Sequence, residues 1–249
     1  MANTSRQPVE ECRKRIRVFL GGEQVADSSH ALLVWERPFY PTYYFPAQDV
    51  STAFLVSTGV VDTAADRGEA EVFSVEAGGK VATSAAAWYR SAQLEAIEGH
   101  LTFTWGAMDA WFEEDEQVYV HARNPYTRVD ILPSSRRVEV LIGDVKVADS
   151  TSARFLFETG LPTRYYLPKT DVRMELLEET DHHTACPYKG NASYYSVVIG
   201  GTRHENVVWW YPFPLAESTR IAGYVAFYND RVSILVDGQP ETPGAGAQL

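Results

Sequence analysis

The chain has 249 residues, 45% of them apolar and 22% charged, a composition that suits a globular protein with one large core or two ordinary ones. Acidic residues outnumber basic ones 33 to 22, for a formal net charge of −11, and that field opposes nucleic acid and anionic membrane as partners. No run reaches the roughly 18–20 apolar residues that span a bilayer, and the polar leader 1–14 has no signal-type apolar stretch, so a cytoplasmic protein is expected.

In chain order, residues 1–12 read as a tail, and the first strand-like run is Ile16-Arg17-Val18-Phe19-Leu20-Gly21. It returns 122 residues later as Val138-Glu139-Val140-Leu141-Ile142-Gly143. Val25-Ala26-Asp27-Ser28 returns unchanged as Val147-Ala148-Asp149-Ser150, and Tyr43-Tyr44-Phe45-Pro46 as Tyr165-Tyr166-Leu167-Pro168. Across residues 16–89 there are 23 identities in 74 positions without a gap. After Tyr89 the offset becomes 124, with Ile97, Gly99, Leu101 and Phe103 matching Ile221, Gly223, Val225 and Phe227. The chain is therefore read as a duplication. The first repeat is placed at 13–122, a Pro- and Ser-bearing linker at 123–135, the second repeat at 136–239, and a tail at 240–249.

Within the first repeat, residues 92–98 read as a short helix and the acidic run Glu113-Glu114-Asp115-Glu116 as a solvated hairpin tip. In the second, two β-branched runs flank Gly143-Asp144 as a hairpin. Residues 154–158, 194–199 and 207–211 read as strands and 215–221 as a helix of about two turns. Residues 225–228 and 232–236 read as a final hairpin around Asn229-Asp230. No β-α-β alternation occurs, which argues against a nucleotide-binding parallel sheet.

Cys186-Pro187-Tyr188-Lys189-Gly190-Asn191-Ala192-Ser193-Tyr194-Tyr195 resembles the C-x-[YW]-K-G-x-A-x-Y-[YW] signature of the domain-of-unknown-function family numbered 427. Glu158, Tyr165-Tyr166-Leu167-Pro168, Asp171-Val172, Trp210-Tyr211 and Ala226-Phe227-Tyr228 fit the same pattern. The resemblance implies a mainly β chain of two tandem antiparallel β-tents, like those of methionine-R-sulfoxide reductases, each with one short helix. It implies no activity, and the sequence lacks the G-[GS] turn and paired carboxylates of a nucleotidyltransferase metal site. No cofactor is implied.

The first repeat has Ala64 where the second has Cys186, Arg67 for Lys189 and Val61 for His183, while Gly68 and Ala70 persist. Chemistry needing thiol or imidazole is thus restricted to the second repeat. Lys189 is read either as a cation anchoring a ligand carboxylate or phosphate, or as half of a structural ion pair with Glu158 or Asp171. Cys186 is either a thiolate activated by His183 or a small buried hydrophobe. Of the aromatic residues, Tyr166 and Tyr211 are candidate pocket walls because Tyr44 and Tyr89 repeat them, with Tyr165 and Trp210 beside them; the remainder read as core. Glu36 and Asp49 repeat Glu158 and Asp171.

His182, His183 and His204 lack HxH or HxxxH spacing, and neighbours in a strand face opposite ways, so no metal site is assigned. The leading expectation is an unidentified small-molecule ligand in a charged, aromatic-lined pocket of the second repeat. An enzyme using Lys189, Glu158 or His183 as acid or base with Cys186 as nucleophile is the alternative, as is a non-catalytic interaction module. The duplicated halves are expected to pair as an intrachain pseudo-dimer, with a homodimer left open.

Overall fold

The computed structural model describes residues 9–241, and the chain divides into two units, Met1–Asn124 and Pro125–Leu249. The first holds β1 (Val9–Glu11), β2 (Ile16–Leu20), β3 (Glu23–Ser28), β4 (Leu32–Arg37), β5 (Tyr40–Pro46), β6 (Leu55–Ala64), β7 (Gly68–Ala77), β8 (Lys80–Tyr89), β9 (His100–Phe103), β10 (Ala110–Glu113) and β11 (Glu116–Val118). The second holds β12 (Val129–Pro133), β13 (Val138–Ile142), β14 (Val145–Ser150), β15 (Arg154–Glu158), β16 (Arg164–Pro168), β17 (Leu177–Cys186), β18 (Gly190–Ile199), β19 (Thr202–Trp210), β20 (Tyr224–Phe227), β21 (Ser233–Val236) and β22 (Gln239–Pro240).

Each unit pairs a seven-stranded sheet with a four-stranded one. The large sheets run β1-β4-β5-β9-β8-β7-β6 and β12-β15-β16-β20-β19-β18-β17, and the small ones β11-β10-β2-β3 and β22-β21-β13-β14. The order matches strand for strand, so the duplication extends to topology. The mainly β tandem architecture expected from the sequence is what the chain adopts.

The alternation of β2 and β13 explains the layering. Both show the same burial pattern, every second residue fully covered, because successive side chains point to opposite faces. Ile16 and Val18, like Val138 and Val140, pack against the large sheet and fill the core between the two sheets. Completely burying one such side chain contributes about 1.5–3 kcal/mol. A second, smaller core lies on the other face of each large sheet. It contains Tyr44, Tyr89 and Ile97 in the first unit, and Tyr166, Tyr211 and Ile221 in the second.

Several elements depart from expectation. Residues 129–133, placed in the linker, form edge strand β12 against β15, and Val9–Glu11, placed in the tail, pairs with β4 in the equivalent position. Residues 1–8 and 242–249 of the tails lie outside the described residues. The helices over 92–98 and 215–221 are 3₁₀ segments, Glu95–Ile97 and Ala216–Ile221, and further 3₁₀ turns follow β5 and β16. The final hairpin does not form: β20 joins the large sheet and β21 the small one, because the turn after Tyr228 carries the chain between layers. At the acidic run, β10 and β11 do form a hairpin. Glu113, however, is buried, accepting the Tyr43 hydroxyl at 2.6 Å and the Lys14 ammonium at 2.5 Å.

Gly68 and Gly190 start β7 and β18 with φ of +93° and +98°, a region open mainly to glycine. A Cβ on Gly68 would meet the Gln93 backbone nitrogen at 2.6 Å, and one on Gly190 the Phe213 carbonyl oxygen at 3.1 Å. Gly190→Ala is expected to lower unfolding free energy by about 1–3 kcal/mol, and Gly68→Ala by at least as much. Denaturant titration of both variants checks this, and wild-type midpoints would refute it.

Candidate functional site

Lys189 closes the turn between β17 and β18. Its carbonyl accepts the Leu215 N–H at 3.1 Å, while the Tyr188 carbonyl accepts the Ser218 hydroxyl at 3.0 Å. The signature loop is thereby tied to the 3₁₀ segment that follows β19. The Lys189 ammonium reaches the carboxylate of Glu158, the last residue of β15, at 2.5 Å, and the two side chains are only 11% and 8% exposed. Removing both charges from water costs several kcal/mol per ion, which only a close, well-oriented pair recovers.

Two tyrosines pack beside this pair. Tyr166 is buried and its hydroxyl accepts the Trp209 indole N–H at 3.0 Å, the rings meeting edge to face at 6.1 Å. Burial pushes the phenols of Tyr166 and Tyr211 far above the usual tyrosine range, and nearby Cys186 and Glu158 raise both further. Both phenols therefore stay protonated and serve as hydrogen-bonding groups. Cys186 is a free, half-buried thiol at the fringe of this cluster. Lys189, Glu158, Cys186, Tyr166 and Tyr211 thus come together.

The other sequence candidates lie apart from them. Asp171 accepts the hydroxyl of buried Ser150 at 2.6 Å and fastens the turn after β16 to the small sheet. Tyr165 faces the core between the sheets. Trp210 faces that same side, with the Lys169 ammonium 3.4 Å from its ring centre. His183 is exposed, contacting the Ala192 carbonyl at 3.3 Å and the Ser193 hydroxyl at 3.4 Å. It pairs with Ser193 while Cys186 pairs with Gly190. Positions three apart on a strand face opposite ways, so imidazole and thiol do not meet as a dyad. His183, Tyr194 and Trp210 instead line a depression of about 270 Å³.

The first repeat builds a looser version of the cluster. Arg67 lies 3.6 Å from Glu36, with side chains 17% and 27% exposed, and its Nε is 3.4 Å from the Tyr89 hydroxyl. Tyr44 donates to Glu36 at 2.8 Å and packs 5.7 Å from Tyr89. Asp49 repeats the latch, accepting the Ser28 hydroxyl at 2.6 Å. The partner that sequence reasoning missed is this serine, although it closes the identical Val-Ala-Asp-Ser run in both repeats. Among the described residues, no three His, Cys, Asp or Glu side chains gather as a metal-binding group.

Fold and cluster together define a duplicated β protein with a cation–acid–tyrosine group in each repeat, nearly buried in the second and half-buried in the first. The chain belongs to the family described as "Domain of unknown function (DUF427)", whose model matches residues 8–114 and again 130–238. No curated protein matches it. Among the described residues, no helix is long and apolar enough to cross a membrane.

The pair's burial sets a stability test. Lys189→Met leaves Glu158 buried without its cation and is expected to cost about 3–5 kcal/mol, whereas Lys189→Met with Glu158→Leu regains most of it. Arg67→Met costs less, since water reaches the first-repeat pair. Urea unfolding of the three variants measures these differences, and equal losses for Lys189→Met and the double variant would contradict the assignment.

Proposed function

We propose that the protein binds a small molecule bearing a carboxylate or phosphate, with Lys189 of the second repeat as the anchoring cation. Glu158 is the internal group the ligand replaces, Tyr166 and Tyr211 are the walls, and Cys186 is at the rim. The observation that carries this reading is the nearly buried Lys189–Glu158 pair, kept in the first repeat as Arg67–Glu36. Apolar residues of similar volume stabilise such a position equally well or better, so retaining the charges fits selection for recognition. A cation in a low-dielectric aromatic setting holds an anion far more strongly than one in water.

A thermal-shift screen of small carboxylates and phosphates tests the proposal. Binders are expected to raise the melting temperature of the wild type, to keep or strengthen that effect in Glu158→Gln, and to lose it in Lys189→Gln. The reading fails if nothing in the panel shifts the wild type, or if Lys189→Gln responds equally.

The free thiol favours a second reading, catalysis on a small metabolite with Cys186 as nucleophile. That requires a thiolate at neutral pH. Labelling with a maleimide at pH 7 is expected to modify Cys186 faster than glutathione if the reading holds. A rate at or below that of glutathione removes it.

A further inference from the structure

We infer that the first repeat carries a separate binding site, for a planar organic cation, in a hollow that the second repeat fills with its own side chains. The hollow measures about 620 Å³, within the range of small-molecule pockets. Four of its lining residues are Thr42, Val72, Ala87 and Thr104. By the offsets of the duplication these correspond to Arg164, Tyr194, Trp209 and Tyr228. In the second repeat those four form one packed group. Trp209 and Tyr228 lie 4.5 Å apart, Tyr194 stacks on Tyr228 at 6.5 Å, and the Arg164 guanidinium sits 5.6 Å and 6.0 Å from the Trp209 and Tyr228 ring centres. Every one of the four is smaller in the first repeat, and the space they occupied is open there.

The chemistry of the occupant follows from two observations. In the second repeat the corresponding place holds a guanidinium, a flat cation lying near aromatic rings. In the first, Glu36 and Asp62 line the hollow beside Arg37; Glu36 also faces Arg67 at 3.6 Å, so exposed Asp62 is the carboxylate most open to a ligand. The hollow also keeps aromatic surface: Trp105 lines it and is backed by Trp111, the indoles stacked 4.4 Å apart and within 4° of parallel. An acidic, indole-walled cleft selects a flat, positively charged ligand and repels its anionic counterpart. The site shares Glu36 with the first-repeat ion pair, but it does not depend on ligand binding at Lys189.

The experiment uses the full chain and proflavine, a planar tricyclic cation, with anthracene-9-carboxylate as an anion of matching ring count. Titration followed by fluorescence anisotropy and calorimetry is expected to give one saturable proflavine site per chain. Ala87→Trp and Val72→Tyr restore second-repeat side chains and are each expected to weaken binding by at least about tenfold. Asp62→Asn, at an exposed position, is expected to weaken it by about threefold, an effect that shrinks as salt is added. Circular dichroism melts establish that the variants fold, and the two filling variants are independent should one be unstable. The inference is overturned if proflavine fails to saturate, if folded filling variants bind it as the wild type does, or if the anion binds equally well. Lys189→Gln is expected to leave proflavine binding intact, which separates this site from the second-repeat proposal.

Discussion

The middle strands of each large sheet are covered on both faces, and this double burial decides which core each of their side chains enters. One face meets the small sheet; the other carries a second core under the 3₁₀ segment that follows β8 or β19. Side chains alternate along a strand, so neighbours in sequence are separated by the thickness of the sheet. Tyr165 goes to one core and Tyr166 to the other, and Trp210 parts from Trp209 in the same way. The ion pair sits at the outer core because Glu158 ends β15 and the signature turn folds back beside it.

The two repeats engage their buried tyrosines differently. In the second repeat Trp209 gives its indole N–H to Tyr166, and Glu158 meets Lys189 closely. Ala87 stands in its place in the first repeat, where Tyr44 donates its hydroxyl to Glu36. Glu36 then divides its charge between Tyr44 and Arg67, and the Arg67 contact lengthens to 3.6 Å. The close ion pair and the filled space thus occur in the repeat with the indole, and the longer ion pair and the hollow in the repeat with Ala87.

Much of the architecture was legible in the sequence, because duplication prints the same alternation twice. The identical Val-Ala-Asp-Ser runs and the paired tyrosines mark positions whose environment did not change. The edge strands were not legible. In β17, Leu177–Cys186, polar and charged residues stand on both faces, since an edge strand has little to bury and charge guards its open side. Of the candidate site, Lys189, Glu158, Tyr166 and Tyr211 were marked by retention of charge and aromaticity. Asp171 was retained for a different reason, its bond to Ser150. Retention alone does not separate a latch from a ligand contact. His183 and Cys186 stand three positions apart in the unbroken register that follows the bulge between Thr180 and His183, so they face opposite ways, and the sequence does not show where that regular stretch begins.

The hollow is the harder feature to explain by packing alone. Removing a large aromatic side chain from a closed core costs about 3–5 kcal/mol, and a domain's whole stability is about 5–15 kcal/mol. Replacing Trp, two Tyr and Arg by Ala, Val and two Thr inside a sealed core would therefore unfold a unit of this size. The first repeat escapes that cost because its cleft is open and its walls are braced separately. Trp105 stacks on Trp111, Tyr40 meets His121 edge to face at 4.7 Å, and Thr102 donates its hydroxyl to the Tyr43 carbonyl at 3.0 Å. A cleft kept open by dedicated bracing is a built feature of the fold, and its acidic rim and indole wall give it a chemistry that the filled second repeat does not offer to a ligand.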